Sequence, residues 1–189
     1  MKNRCKWCEN DPIYIAYHDN EWGVPLHDDQ LLFEFLILEG AQAGLSWITI
    51  LKKRENYKKA FHNFDCEIIA NYSGDDVARL LADAGIVRNR LKINSAIRNA
   101  KAAIKIKKEF GSLDAYFWRF VNGAPIQNAW KSMAELPAKT ELSDVISKDF
   151  KKHGLNFVGS TIIYAFMQAV GMVNDHTIDC FRYDEIKKL

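Results

Sequence analysis

Apolar residues along this chain recur mostly three and four positions apart and nowhere alternate strictly over a long run, so the pattern predicts an all-α fold. Helices are expected over 29–39, 46–61, 75–84, 89–109, 113–121, 142–153, 160–171 and 177–186. Two segments, DQLLFEFLILEG and STIIYAFMQAVG, are apolar almost all round and read as buried core helices. Ser73-Gly74-Asp75-Asp76 has capping-box spacing with aspartate in the final place, and it marks a helix start. Gly111 and Gly154 are natural stops. The stretch 122–140, with Gly123, Pro125 and Pro137, is the expected long loop.

Composition narrows the class. A chain of 189 residues suits one domain, or two small lobes sharing a core. Hydrophobic content of 48% with 26% charged residues fits an ordinary soluble globular protein, and no apolar stretch reaches the ~18 residues a membrane span needs. The opening MKNRCKWCENDP lacks the apolar core of a secretory signal, so a cytoplasmic location is expected. In a reducing compartment Cys5, Cys8, Cys66 and Cys180 then read as buried thiols or metal ligands rather than disulfides. The net charge of +2 is unevenly spread. Residues 1–51 carry three basic side chains against eight acidic ones, whereas 86–108 carry eight basic ones and no acid. That asymmetry fits contact with a polyanion along one face, although a solvated helix face has the same composition.

Candidate chemistry lies first at the chain ends. Cys5 and His18 from one end, with His176 and Cys180 from the other, make a plausible tetrahedral zinc site. If 176–180 is helical, His176 and Cys180 share one face. Four protein ligands leave the metal no open position, which argues for a structural staple rather than a hydrolytic centre. Cys8 is a rival, because Cys5-Lys-Trp-Cys8 could supply two ligands by itself, and Asp179 is a weaker one.

A second constellation surrounds Glu39, which ends the apolar run from Phe33 to Leu38 with Tyr14, Tyr17, Trp22 and Trp47 nearby in sequence. A carboxylate at the end of a buried helix is costly unless something pairs with it, and a flat cation stacked among aromatics is such a partner. Each ring taken singly is better explained by core packing, whereas the carboxylate of Glu39 is better explained by function. Gln42-Ala43-Gly44-Leu45-Ser46 follows directly, placing one leucine among small residues. An apolar wedge on a tight turn could fill the gap left by an extruded nucleotide, or Leu45 could be the first core residue of the next helix.

These stretches together carry a resemblance. DPIYIAYHDNEWGVP, LEGAQAGLSWITILKKRENY, DAGIVRNRLKI and LNFVGSTIIYAFMQAVGMVNDH, running nearly end to end, are similar to the Tag-type family of bacterial 3-methyladenine DNA glycosylases, within the helix-hairpin-helix DNA glycosylase superfamily. The resemblance implies a helix-hairpin-helix fold in which a structural zinc joins the termini through Cys5, His18, His176 and Cys180. It implies one glycosylase unit over 1–189, with a hairpin lobe at about 80–170 and a zinc-stapled lobe from 1–79 plus 171–189. It assigns Glu39 as the catalytic residue, Tyr17 and Trp47 with Tyr14 and Trp22 as the base pocket, and Gln42, Gly44 and Leu45 as the intercalating turn. Gly154-Leu-Asn-Phe-Val-Gly159-Ser160 resembles the hairpin, so Gly159, Ser160 and Thr161 are expected against DNA phosphate.

Where bifunctional superfamily members carry a lysine nucleophile this chain has Thr161, which implies no lyase activity. The superfamily aspartate falls on Asn174, or on Asp175 if the alignment shifts by one. The implied reaction is extrusion and hydrolytic excision of 3-methyladenine from double-stranded DNA by a monomer, releasing the free base. Two other classes compete: a non-catalytic zinc-containing DNA-binding module, which leaves the acid-centred pocket unexplained, and a zinc hydrolase, against which four protein ligands argue.

Overall fold

The computed structural model describes residues 2–8 and 11–189. Among them, ten α-helices follow in chain order: α1 (Pro12–Asn20), α2 (Asp29–Gln42), α3 (Trp47–Ala60), α4 (Cys66–Ala70), α5 (Gly74–Ala82), α6 (Arg90–Phe110), α7 (Leu113–Trp118), α8 (Glu141–Lys152), α9 (Ser160–Ala169) and α10 (Phe181–Ile186). The Ser73 capping box closes at both ends, with the Asp76 side chain returning to the Ser73 amide. Gly111 and Gly154 follow α6 and α8, as the stop signals require.

Three elements differ from the expected pattern. Helix α1 was not expected, because PIYIAYHDN carries no clean apolar stripe. It forms because Asp11 accepts from the Ile13 amide and Pro12 sits in the first turn, where its missing N–H costs nothing. Helix α4 is five residues long, too short to show a period, and starts on the Asp65 cap. The last helix begins at Phe181 instead of 177, since residues 176–180 form a turn closed by the Cys180 amide on the Thr177 carbonyl. The loop 122–140 also contains a two-residue strand, β1 (Ile126–Gln127), paired in parallel with β2 (Val173–Asn174). This pairing ties the loop to the chain just beyond α9.

Helix α2 is the axis of the molecule. Every residue from Leu32 to Ala41 is buried, and α3, α6, α7 and α9 pack around it. Each fully buried Leu, Ile or Phe there contributes about 1.5–3 kcal/mol of transfer free energy. Gly171 lets the segments that follow α1 and α9 approach closely. Its φ is +75°, and a Cβ there would lie 2.4 Å from the Val24 carbonyl carbon, so only glycine fits. The Gly23 amide donates to the Gln168 carbonyl and the Leu26 amide to the Val170 carbonyl, seating the segment after α9 beside the one after α1. No helix among the described residues is long and apolar enough to cross a membrane.

Candidate active site

Beside the C-terminal half of α2 lies a cavity of about 250 Å3 whose walls include Trp7, Tyr14, Tyr17, Trp22, Glu39 and Trp47. The four aromatics singled out in the sequence therefore share one space with the carboxylate. The rings brace one another. Trp7 packs edge-on against Tyr14 and Trp22 at centroid distances of 5.3 and 5.1 Å, and Tyr17 lies 5.6 Å from Trp47. Tyr14 has a second task. Ser46 at the start of α3 makes no side-chain cap, and the Tyr14 hydroxyl instead accepts from the Ile48 amide at 2.9 Å. That bond pins the helix start on which Trp47 stands.

Two glutamates are buried in α2, and they differ in what meets them. Glu34 (2% exposed) is met by the Arg54 guanidinium, which also bridges to Glu21, and lies 3.8 Å from the Lys58 ammonium. Glu39 (4% exposed) has no such partner, and its Oε2 is buried without a hydrogen bond. Burial pushes its carboxyl up to about 8. The indole N–H of Trp47 is likewise buried and unpaired. Burial, with the nearby Glu39 charge, raises the Tyr17 phenol well above its usual range. An acceptor and a donor left unsatisfied in one aromatic cavity are what a polar flat ligand would complete.

Five further wall residues were not visible in the sequence: Trp7, Met133, Leu136, Ala165 and Gln168. Met133 and Leu136 come from the loop tied down by β1, a tertiary arrangement that leaves no local pattern. Gln42, expected near DNA, is also a wall of the cavity. Gln168 is held through its amide N–H by Asp175 Oδ2 at 2.7 Å. Asp175 also accepts from Tyr164, Asn128 and Trp130, so its oxygens are saturated inside the protein. The Asn174 amide donates to Gln127 and to the Tyr183 carbonyl. Neither residue offers a carboxylate oxygen free to activate water.

The ligand atoms of Cys5, His18, His176 and Cys180 all lie within 4.8 Å of one another, and all four residues are buried. Three sulfur–nitrogen separations are 3.4, 3.6 and 3.7 Å. A tetrahedral zinc with bonds of about 2.3 Å to sulfur and 2.0–2.1 Å to nitrogen spaces unlike ligands by about 3.6 Å, so the donor set fits such an ion. The second ring nitrogens are also oriented, His18 Nδ1 by Asp19 at 2.8 Å and His176 Nε2 by the Trp22 carbonyl at 3.0 Å. The rival thiol is placed elsewhere: Cys8 donates to the Cys5 carbonyl and is not in the group. Asp179 is outside it too, held by Asn3. His176 and Cys180 converge through the turn, not through a helical face.

Past Glu39, α2 ends in an open turn. Gly44 has φ +78° with open space around it, and Leu45 is 41% exposed rather than core. Gly159 caps α9 without a side chain, leaving Ser160 and Thr161 as its first residues. Of the basic tract, Arg88, Arg90, Arg98, Lys101, Lys105 and Lys108 are exposed. Two members depart from a polyanion-facing role: Lys107 pairs with Asp29, and Lys92 turns inward.

A family model described as methyladenine glycosylase matches residues 7–183. DNA-3-methyladenine glycosylase 1 of Escherichia coli (strain K12) is 51% identical over 180 residues, covering 95% of this chain and 96% of that protein. DNA-3-methyladenine glycosylase of Haemophilus influenzae is 47% identical over 180 residues, covering 95% and 97%. A crystal structure of 3-methyladenine DNA glycosylase I superposes with a TM-score of 0.92 at 51% identity, covering 95% of this chain and 98% of that one. A structure addressing 3-methyladenine recognition by the Staphylococcus aureus enzyme superposes equally, at 36% identity over 95% and 96%.

Proposed function

Because the chain belongs to the methyladenine glycosylase family, we propose that it extrudes 3-methyladenine from double-stranded DNA and hydrolyses its glycosidic bond, leaving an abasic site. The observation that carries the reading is the buried, unpartnered Glu39 carboxyl among Tyr14, Tyr17, Trp22 and Trp47. Methylation at N3 makes the nucleobase a flat cation, which such a site suits on both counts, stacking and charge. When the bond from C1′ to the base breaks, its electron pair neutralises the base, which leaves without needing a proton. Water adds at C1′ and loses a proton to solvent. The protein then supplies extrusion and recognition more than acid catalysis, consistent with the saturated Asp175. With Thr161 where a lysine nucleophile would stand, the enzyme is monofunctional.

We read Gly44 and Leu45 as the wedge that fills the vacated stack. The start of α9 at Gly159, Ser160 and Thr161 is the phosphate grip of a helix-hairpin-helix unit. The zinc-stapled lobe then supplies Glu39 and the aromatic walls of the pocket, and the lobe from about 80 to 170 supplies its Met133, Leu136 and Gln168 side together with the grip. Cys5, His18, His176 and Cys180 would hold a zinc whose role is to clasp the chain ends and back the Trp22 wall through His176. Bound there, a closed four-ligand zinc supplies rigidity and no nucleophile.

The test is the pH dependence of kcat/KM for excision, which reports ionisations of the free enzyme. The Glu39 carboxylate is needed to pair with a cation, and in the empty pocket it forms only as pH rises through about 8. Excision should therefore climb with pH to a plateau above that value. E39Q should lose the climb and most of the rate. An E39Q rate and profile like those of the unsubstituted chain would remove Glu39 from the reaction.

A further inference from the structure

One lysine of the basic tract turns inward, toward the end of α2. Lys92 Nζ donates to the Ala41 carbonyl at 2.7 Å and to the Ala43 carbonyl at 2.6 Å. These carbonyls belong to the end of α2, just after Glu39 and just before Gly44. The last turn of α2 contains no basic residue of its own, so its partly negative end is met by a cation from α6. Beyond this cap the turn has little else to hold it. The Leu45 amide donates to the Gln42 carbonyl, and the Ala43 amide makes a long 3.4 Å bond to Gly40. Partial burial of the lysine, which lowers its pKa, agrees with an ammonium committed to protein carbonyls rather than to solvent.

A second contact of α6 follows the same logic. Asn99, seven residues and two turns on, lies on the same face of the helix. Its side chain exchanges two hydrogen bonds with the Asn156 backbone, at 3.0 and 2.7 Å, clamping the segment that precedes α9. Gly40 of α2 faces Phe157 of that segment so closely that a Cβ would come within 3.2 Å of the Phe157 Cβ. Helix α6 thus holds both turns that the proposed function directs at DNA.

We propose that Lys92 is a positioning residue for base extrusion: its ammonium fixes the end of α2 so that the Gly44–Leu45 turn is rigid when Leu45 enters the base stack. The proposal rests on the wedge role of Leu45. A wedge must push against stacked bases, and a turn free to recoil delivers less of that force. Small misplacements of such groups are enough to cost about tenfold or more in rate.

Its test uses the full zinc-loaded chain and the variants L45A, K92M, K92R and L45A/K92M. Three quantities are measured: single-turnover excision of 3-methyladenine from methylated duplex, binding of the free base, and the salt dependence of binding to undamaged duplex. L45A and K92M should each slow excision by about tenfold or more, and the double variant should be no slower than L45A within about twofold, because both act on one step. K92R, able to reach both carbonyls, should recover most of the rate. Free-base affinity and the salt slope should stay unchanged.

A phosphate contact by Lys92 would instead weaken duplex binding and lower the salt slope by about one, overturning the proposal. Multiplying penalties in the double variant, or normal excision by K92M where L45A is slow, would also overturn it. Normal excision by L45A would remove the wedge and this proposal together, while leaving the glycosylase reading standing. No base release by the unsubstituted chain would instead sink the glycosylase reading itself. Should K92M fail to fold, K92Q gives the same comparison, with the same outcomes deciding.

Discussion

At the scale of single residues the molecule turns on the difference between two glutamates five positions apart in one helix. Glu34 is buried and paired with Arg54, whereas Glu39 is buried and leaves Oε2 unmet. Glu39 was legible because a carboxylate closing an apolar run is an anomaly in the one-dimensional pattern. Trp7, Met133, Leu136 and Gln168 were not, because nothing local distinguishes a pocket wall from core or loop. The unpaired carboxyl has a measurable consequence for stability. In the native state it holds its proton up to about pH 8, whereas in the unfolded chain it ionises near its ordinary value of 4.5. Between these values the native state binds more protons, so stability falls as pH rises through this window and levels off above it. E39Q removes that loss. Its melting temperature should exceed that of the unsubstituted chain, by more at pH 8.5 than at pH 5, as followed by circular dichroism. A difference that does not change with pH would contradict the burial of an unpaired acid.

Secondary elements were legible where a period or a cap was strong enough. Helix α6 was anticipated within about a residue at each end, and α5 started on its capping box. Helix α1 escaped because its buried residues, Tyr17 and His18, are adjacent in sequence rather than spaced along a stripe. The turn at 176–180 escaped for a different reason: His176 and Cys180 converge with Cys5 and His18 through tertiary approach, which no local spacing encodes. The end of α2 is the element whose geometry is most exposed to test. Gly44 stands in open space, so an added methyl group meets no neighbour and strains only the backbone, at a cost of about 1–2 kcal/mol. G44A should therefore bind free 3-methyladenine normally and stay folded, while its excision from duplex falls by about tenfold or more as the wedge is redirected. Weakened free-base binding would show that the turn serves the pocket rather than the DNA.

For the whole molecule, the expected helical architecture and the meeting of the chain ends were both readable in advance, the first from periodicity and the second from four ligand-type residues. The paired strands β1 and β2 were not, since two residues of alternation carry no signal. The Cys5, His18, His176 and Cys180 cluster joins segments 171 positions apart at Cys5 and His176 and backs the Trp22 wall, and the proposed zinc gives it a testable role. Chelation should lower the melting temperature by about 10 °C, given about 2–4 °C per kcal/mol for a chain of this size and a loss of a few kcal/mol. Zinc should restore both the melting temperature and excision together. Activity lost in a chain whose melting temperature is unchanged would favour a metal-borne nucleophile instead. One measurement tests base excision most directly: chromatography of the bases released when the purified chain is incubated with methylated duplex DNA. Free 3-methyladenine should appear with time, leaving abasic but unbroken strands, and its release should collapse in E39Q. Methylated DNA that is bound but yields no free base would contradict excision and leave a DNA-binding module in its place.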